Sequence, residues 1–510
     1  MPDLNELREQ IDNVDGQIIE LFDKRIAISR KIGNIKRLTG KDVYDPAREK
    51  EKINKLYARA GYESRAYVED LYREMMALSK KHQSKPAFGV LGRSLPHTYS
   101  PEIHNILCPD YSYDVIEMEP EQLDNLFSCG VFKGFNVTIP YKKEAASRSD
   151  VLDDAAEATG SVNTVVFGDD GKTYGYNTDC YGFMYMVSGS GIDISGEKVL
   201  VLGTGGASSS IKFALKELGA GEIIECGRKS EVNYGNVYEM AGDCGVIVNC
   251  TPVGTFPDVD NSLLELEKFG RLKACFDLVY NPSRTKFIQQ AQKLGIKTTG
   301  GLPMLVAQAY KASLLFRGDK DSAAKIPEGR IKDIEDTIRV LEKRMRNITL
   351  IGMPGSGKTT LAKKIAKITG RTMVDLDWAY KDRFGMTSAD AIEGLGVDTF
   401  RDNETLVAAE MLPKSGLVIS CGGGIVTRPE NELYVRCNSN VFYIERPLSG
   451  LSDHNRPETI MHGVEALYEQ RKDKYETWCD HKLFFDRFEN YDDYTSAAVS
   501  EILAILDREE

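Results

Sequence analysis

The stretch NITLIGMPGSGKTTLAKKIAKIT, residues 347–369, decides how the second half of the chain folds. An apolar β-rich run leads into a glycine-rich turn, and an amphipathic run follows. Gly352 through Thr359 fits G-x-x-x-x-G-K-[ST] in full. Between a strand and a helix, such a loop aims backbone N–H groups at phosphate oxygens. Lys358 would neutralise the terminal phosphates and Thr359 would ligate magnesium. Gly352, Gly355, Ser356, Gly357 and Thr360 complete the expected nucleotide loop. The reading is an α/β domain that opens at Asn347.

A second glycine-rich stretch, VLGTGGAS, stands at residues 201–208. It follows the strand-like KVLVLG and precedes the helix-like SSIKFALKELGA. The pattern is G-x-G-G-A, either a bare tight turn or a pyrophosphate site built from Gly203, Gly205, Gly206 and Ala207. In IIECGRKS, residues 223–230, Arg228 and Lys229 sit where a 2′-phosphate would lie, which favours NADP(H). Glu225 points the other way, since an acidic group there can bind a ribose hydroxyl.

The chain has 510 residues, too many for one core, and its length fits roughly three or four domains. Its net charge of −12 disfavours a nucleic-acid partner. Ten cysteines occur without a C-x-x-C pair, so free thiols in a reducing cytoplasm are expected. No apolar run reaches the length of a membrane span, and MPDLNELREQ has no apolar signal core. No membrane association is expected.

Before residue 84 there is little strand signal. Leu7, Ile11, Val14, Ile18, Leu21, Ile28, Ile32 and Ile35 follow a 3-4 spacing. That predicts a helix of about thirty residues, ~45 Å long, with an apolar seam that needs a partner. Arg25 interrupts the seam. Either it snorkels or pairs with a glutamate, or it binds an anion. Arg8 lies near the same face and Lys36 ends the helix. Asp45-Pro46 predicts the capped start of a second helix, with Arg48 and Glu49 in its first turn. Ser79 and Gln83 share one face of a third. LREQIDNVDGQIIELFDKRIAISRKIGNIK and DPAREKEK resemble the all-helical type of chorismate mutase. The resemblance implies that Arg8, Arg25, Asp45, Arg48, Glu49 and Ser79 bind chorismate, with Lys36 and Gln83 on its ether oxygen. It also implies that Arg8 comes from a second chain, hence a homodimer through the helical domain.

From Ala87 to Phe316 short β-rich runs (AFGVLG, GFNVTIP, KVLVLG, GVIVNC, KACFDLVY) alternate with helical ones, which predicts parallel α/β layers. A polar stretch, RGDKDSAAKIPEG, and an amphipathic helix then lead to Asn347. A lysine and an aspartate able to reach one carbonyl would serve as an acid–base pair, and Lys142 and Asp179 are candidates. TYSPEIHN, NVTIPYKKEA, SVNTV, NTDCYG, LGTGGAS, DLVYNP and GGLPMLVAQA, in that order, resemble shikimate dehydrogenase. The family implies a substrate lobe and a Rossmann lobe flanking a cleft. Lys142 and Asp179 match its catalytic pair. Thr98, Ser100, Thr138, Asn163, Tyr280 and Gln308 match its substrate contacts, and quinate is a conceivable second substrate. Thr98 replaces the usual serine, and Gly227-Arg228-Lys229 the usual N-R-T.

In the last region MVDLDWAY offers Asp375 and Asp377, as turn chemistry or as a magnesium-and-base pair. FRDNE offers Arg401 and Glu404, CGGGIV offers Gly422, Gly423 and Gly424, NRPE offers Arg456 and YEQRKDKY offers Arg471. The set resembles shikimate kinase. By that resemblance Asp377, Arg401, Gly423, Gly424 and Arg471 bind shikimate, with Asp377 at the 3-hydroxyl and Asp375 acting through magnesium. Arg456 closes over the transferring phosphate, in a lid between Pro447 and Arg456 that is short for the family.

The expectation is a multidomain chain. Residues 1–84 form an all-α mutase-like domain. Residues 85–346 form a two-lobe α/β dehydrogenase, with a substrate lobe at 85–180, a Rossmann lobe at 190–300 and helices to 346. Residues 347–510 form an α/β kinase. NADP(H), ATP and Mg2+ are its expected cofactors. Its expected reactions are 3-dehydroshikimate to shikimate, shikimate to its 3-phosphate, and chorismate to prephenate. The rival expectation keeps the two α/β enzymes and makes the helical domain a dimerisation or chorismate-sensing module.

Overall fold

Helix α1 (Leu4–Leu38) runs for 35 residues, followed by α2 (Pro46–Arg59) and α3 (Arg65–Gln83). This computed structural model describes residues 3–38, 41–42, 45–83, 85–96, 98–451, 463–485 and 491–508. The chain divides into two compact units, Met1–Thr178 with Ala309–Pro327, and Asp179–Gln308 with Glu328–Glu510.

In the first unit, α2 starts as its sequence dictates. The Asp45 carboxylate accepts from the Arg48 N–H at 3.0 Å, and Pro46 occupies the first turn, where no N–H is needed. The eight seam residues of α1 are 43–64% exposed, so much of the stripe faces solvent among the described residues. Further along α1, Arg30 forms an ion pair with Asp114 and Asn34 hydrogen-bonds the same buried carboxylate. These contacts seat α1 on the sheet that follows.

That sheet holds β1 (Ala87–Gly92), β2 (Ser112–Glu117), β3 (Gly134–Val137), β4 (Val151–Leu152), β5 (Thr164–Phe167) and β6 (Thr173–Tyr176), in the order β2-β1-β3-β5-β6-β4. The strands β1, β2 and β3 are parallel, but β5 runs antiparallel to β3 and β6. The expectation of parallel layers therefore holds for β1, β2 and β3 and is corrected at β5. Residues 168–172 join β5 to β6 in a tight turn, with the Gly168 N–H on the Lys172 carbonyl at 2.8 Å and Gly171 at φ 78°. A loop this short reverses the chain, whereas a parallel crossover needs a dozen residues or more.

The second unit contains two five-stranded parallel sheets. One joins β7 (Val199–Leu202), β8 (Ile223–Cys226), β9 (Val246–Asn249), β10 (Ala274–Asp277) and β11 (Lys297–Thr299) in the order β11-β10-β9-β7-β8. The other joins β12 (Asn347–Ile351), β13 (Met373–Asp375), β14 (Val418–Ser420), β15 (Ser439–Glu445) and β16 (His481–Phe484) in the order β13-β14-β12-β15-β16. Strands β7, β9, β10, β12 and β14 are buried along their whole length, the environment that selects continuous apolar runs. The stretch expected as a polar linker contains a short helix, Lys320–Ala324, capped by Asp319. The helix Ile331–Met345 buries Ile334, Leu341 and Met345. All ten cysteines are free thiols. Among the described residues, no helix is long and apolar enough to cross a membrane.

Candidate active sites

The nucleotide loop follows β12. Gly352, Gly355 and Gly357 take positive φ (142°, 85° and 95°), a shape that side chains resist. A β-carbon on Gly352 would lie 2.4 Å from the Ile444 carbonyl. The buried Lys358 donates to the Gly352 and Met353 carbonyls, both at 2.9 Å, and curls its ammonium into the loop. Ser356 is buried, and Thr360 lies in the first turn of the helix Lys358–Thr369. The Thr359 hydroxyl donates to Asp375 at 2.8 Å and lies 3.2 Å from the Ser420 hydroxyl. A hydroxyl and a carboxylate this close fit one magnesium ion that otherwise keeps water and phosphate oxygens as ligands.

Around this loop the structure brings together most of the predicted acceptor residues. Asp377 receives a hydrogen bond from Ser388 at 2.8 Å, and its own N–H donates to Asp375 at 3.0 Å. Asp377 is exposed, but the protein packed around its carboxyl desolvates it, and this raises its pKa above the ordinary 3.8. The charge of Asp375 acts in the same direction. The CGGGIV turn threads between these groups. A β-carbon on Gly422 would meet Glu404 at 2.8 Å, one on Gly423 would strike Pro354 at 2.5 Å, and one on Gly424 would overlap the Arg401 guanidinium. Arg401 is buried and ion-paired with Glu404 at 2.5 Å. The Gly423 carbonyl accepts from Arg471 at 3.2 Å and from the Tyr475 hydroxyl. Ser388, Ser420 and Tyr475 were absent from the predicted site, whereas Glu404 was named beside Arg401. Ser388 lies inside a T-x-x-D capping box, Thr387–Asp390, which was legible as a helix start and fixes where its hydroxyl lies. Arg456 lies outside the described residues.

The other glycine turn follows β7. Gly203 sits at φ 103°, where its missing side chain would lie 3.0 Å from the Thr251 methyl. Nothing lies within 4 Å of a β-carbon on Gly205, so that face is open. Gly206 and Ala207 begin the helix Gly206–Glu217, aiming their N–H groups at the same place. The Glu225 ambiguity has a structural answer. Its carboxylate is ion-paired with Lys212 and accepts from Ser208 at 3.3 Å, while Arg228 and Lys229 are exposed. The set therefore fits a phosphate beside the adenosine ribose better than a bare ribose. Gly227 is demanded by the Thr204 methyl, 2.4 Å from its would-be β-carbon. Asp179 is buried near the start of the helix Thr178–Gly189. That helix packs at Gly182 against Met304 and Gln308. Tyr280 lies on the loop after β10.

In the first unit the ends of β1 and β3 carry the predicted contacts. The Thr138 N–H bonds the Leu91 carbonyl at 2.9 Å, and the Val137 N–H bonds the Asn163 carbonyl at 2.7 Å. Asn163 is buried, its side-chain oxygen accepting from the Thr178 N–H at 2.7 Å. The hydroxyls of Thr98 and Ser100 lie 3.2 Å apart. Lys142 opens the helix Lys142–Ser147, one turn past Thr138.

Within the helical bundle, Arg25 donates to the Ser79 hydroxyl at 2.6 Å and to the Met75 carbonyl at 3.1 Å. Gln83 donates to the Ser29 carbonyl and hydroxyl, both at 2.7 Å, and packs on Gly33, one turn before Lys36. Glu49 is ion-paired with Lys80 at 3.0 Å. Arg48 is exposed in the first turn of α2. Arg8 is exposed and stands seventeen residues before Arg25 on one continuous helix. That spacing is about 26 Å, too far for both to hold one small ligand.

Three family models match along the chain: chorismate mutase type II over residues 7–84, shikimate dehydrogenase substrate binding domain over 90–165 and shikimate kinase over 354–503. A shikimate dehydrogenase (NADP(+)) of Clostridium perfringens (strain SM101 / Type A) is 37% identical over 254 residues, 46% of this chain and 93% of the relative. One from Caldanaerobacter subterraneus subsp. tengcongensis is 36% identical over 263 residues, 46% of this chain and 93% of that protein. The crystal structure of a chorismate mutase/shikimate 5-dehydrogenase fusion protein from Clostridium acetobutylicum matches 51% of this chain and 98% of its own, at 29% identity and a TM-score of 0.47.

Proposed function

Because this chain belongs to the shikimate dehydrogenase family and carries chorismate mutase and shikimate kinase domains as well, we propose that it is one enzyme with three activities. It reduces 3-dehydroshikimate to shikimate, phosphorylates shikimate on its 3-hydroxyl and rearranges chorismate to prephenate. The proposed domain bounds are 1–84, 85–346 and 347–510, and the proposed location is the cytoplasm. The observation that carries the reading is the cluster of Thr359, Asp375, Asp377, Arg401, Gly423 and Arg471 around the nucleotide loop.

When bound, NADPH supplies a hydride, ATP supplies the phosphoryl group, and Mg2+ offsets the charge of the phosphates. The chain's residues do the rest. Lys142 hands a proton to the carbonyl oxygen as it becomes a hydroxyl, with Asp179 as its partner. Thr98, Ser100, Thr138, Asn163, Tyr280 and Gln308 hold the ring's carboxylate and hydroxyls. Asp377 accepts the proton of the 3-hydroxyl, Arg401 and Arg471 hold the shikimate carboxylate, and Arg456 covers the reacting phosphate. In the helical domain no covalent help is needed. Lys36 and Gln83 donate to the ether oxygen, for which Gln83 must turn from Ser29, while arginines hold the two carboxylates.

The mutase reading requires a homodimer. Two observations support one: the exposed apolar stripe of α1, and the distance that bars Arg8 from the Arg25 site of its own chain. The test is direct. Purified protein given 3-dehydroshikimate, NADPH, ATP and Mg2+ should accumulate shikimate 3-phosphate. Chorismate alone should be lost with the wild-type chain and persist with Arg25→Ala. Persistence with both chains would leave the helical domain a dimerisation or chorismate-sensing module.

A further inference from the structure

The loop that leaves β10 carries Tyr280 and is gripped from both sides. On its own side the buried Asp277 accepts from the Val279 N–H at 3.1 Å, the Thr285 hydroxyl at 2.5 Å and the Asn249 amide at 2.9 Å, closing residues 277–285 into a ring. On the other side stands the P-loop domain. The Arg284 guanidinium makes a two-pronged pair with Asp480, at 2.7 and 2.9 Å. It also donates to the carbonyls of Arg436, at 2.8 Å, and Ser439. The Arg284 N–H bonds the Cys437 carbonyl at 2.8 Å, and the Ser283 N–H bonds Asn438 at 3.2 Å. Gln289 bridges the Arg284 and Leu433 carbonyls, both at 3.1 Å. Asp480 in turn accepts from the Val441 N–H at 2.9 Å, so the strand β15 backs the clamp.

This is a built junction. Arg284 is only 8% exposed, and its planar fork meets a carboxylate and two carbonyls at once. Burial works against the charge of Asp480, but its bonds to Arg284 outweigh that and hold its pKa below the ordinary 3.8. A lone dehydrogenase has no counterpart of residues 436–441 to press against.

We propose that Arg284 is a positioning residue for the dehydrogenase site, holding the Tyr280 loop in its working shape against a counter-surface supplied by the kinase domain. This rests on the reading of Tyr280 as a shikimate contact. The kinase fold then acts as a brace for the dehydrogenase, and a substitution in one domain is felt by the substrate of the other.

The experiment measures NADP+-linked oxidation of shikimate by the full chain, with kcat and KM taken separately. Asp480→Asn lies in the kinase domain, outside the proposed kinase site. It should raise the KM for shikimate about fivefold or more, with kcat and the KM for NADP+ changed by less than about twofold. Kinase kinetics should hold. Arg284→Lys keeps the charge but loses the fork, and should fall between wild type and Arg284→Met. If Asp480→Asn does not fold, the two arginine variants give the same reading. An unchanged shikimate KM in all folded variants overturns the inference, as does an equal loss at both sites, which would mark general loosening. A wild-type chain that fails to oxidise shikimate would instead overturn the underlying functional reading.

Discussion

A β-carbon on Gly424 would lie 1.8–2.1 Å from atoms of the Arg401 guanidinium. Arg401 is buried and pinned by Glu404, so it has little room to retreat. Gly424→Ala should therefore raise the kinase KM for shikimate about tenfold or more, which steady-state kinetics will read. Asp377 makes a prediction about pH. A base must be ionised to accept a proton, and its pKa is raised. The acid limb of kinase kcat/KM should lie above pH 3.8, with activity falling as pH falls through it. Asp377→Asn should remove the limb and lower kcat by roughly 10²–10⁴-fold. Asp277 is raised to about 6, chiefly by burial. The fold thus prefers it protonated, and this contribution is complete below pH 3.8 and lost as pH rises through about 6. Thermal melts across that window should decline with pH in the wild type and flatten in Asp277→Asn.

At the scale of elements, α1 presents a stripe of eight half-exposed apolar side chains, and one charge should decide its fate. Ile18→Asp in the middle of the stripe should shift sedimentation from dimer toward monomer and abolish chorismate turnover, leaving the dehydrogenase intact. The same helix illustrates how much was legible. A 3-4 spacing fixed its length and face, and Asp45-Pro46 fixed the start of α2, because both are local rules of backbone geometry. The strands β1, β7, β9, β10 and β12 were legible because strands buried on both faces are mostly apolar along their length. The antiparallel β5–β6 hairpin was not, since its residues carry no mark of direction and only the brevity of the 168–172 turn dictates it. The P-loop site was legible for the opposite reason: its chemistry demands fixed spacing. The ion pairs that answer Glu225 with Lys212 and Arg284 with Asp480 were invisible, because charge complementarity over long sequence separation leaves no pattern.

At the scale of the whole molecule, the proposed homodimer, with Arg8 and Arg25 about 26 Å apart on one long helix, would make the mutase a property of two chains. Arg8→Ala and Arg25→Ala should each be inactive. Mixed and allowed to exchange, they should recover about a quarter of wild-type chorismate turnover, because half the dimers are mixed and each has one intact site of two. Failure to complement, with exchange verified, would place Arg8 outside the site. The dehydrogenase and kinase activities of the same mixture should not change, which ties the effect to the helical region.

The nucleotide loop holds one further consequence. Lys358 rests on the carbonyls of Gly352 and Met353, its long side chain already confined to one shape. A free lysine carries about 2 kcal/mol of rotamer entropy. Here that freedom is surrendered once, when the domain folds, and not again at each turnover. Phosphate oxygens arriving in the loop exchange partners with two carbonyls instead of having to capture a wandering ammonium.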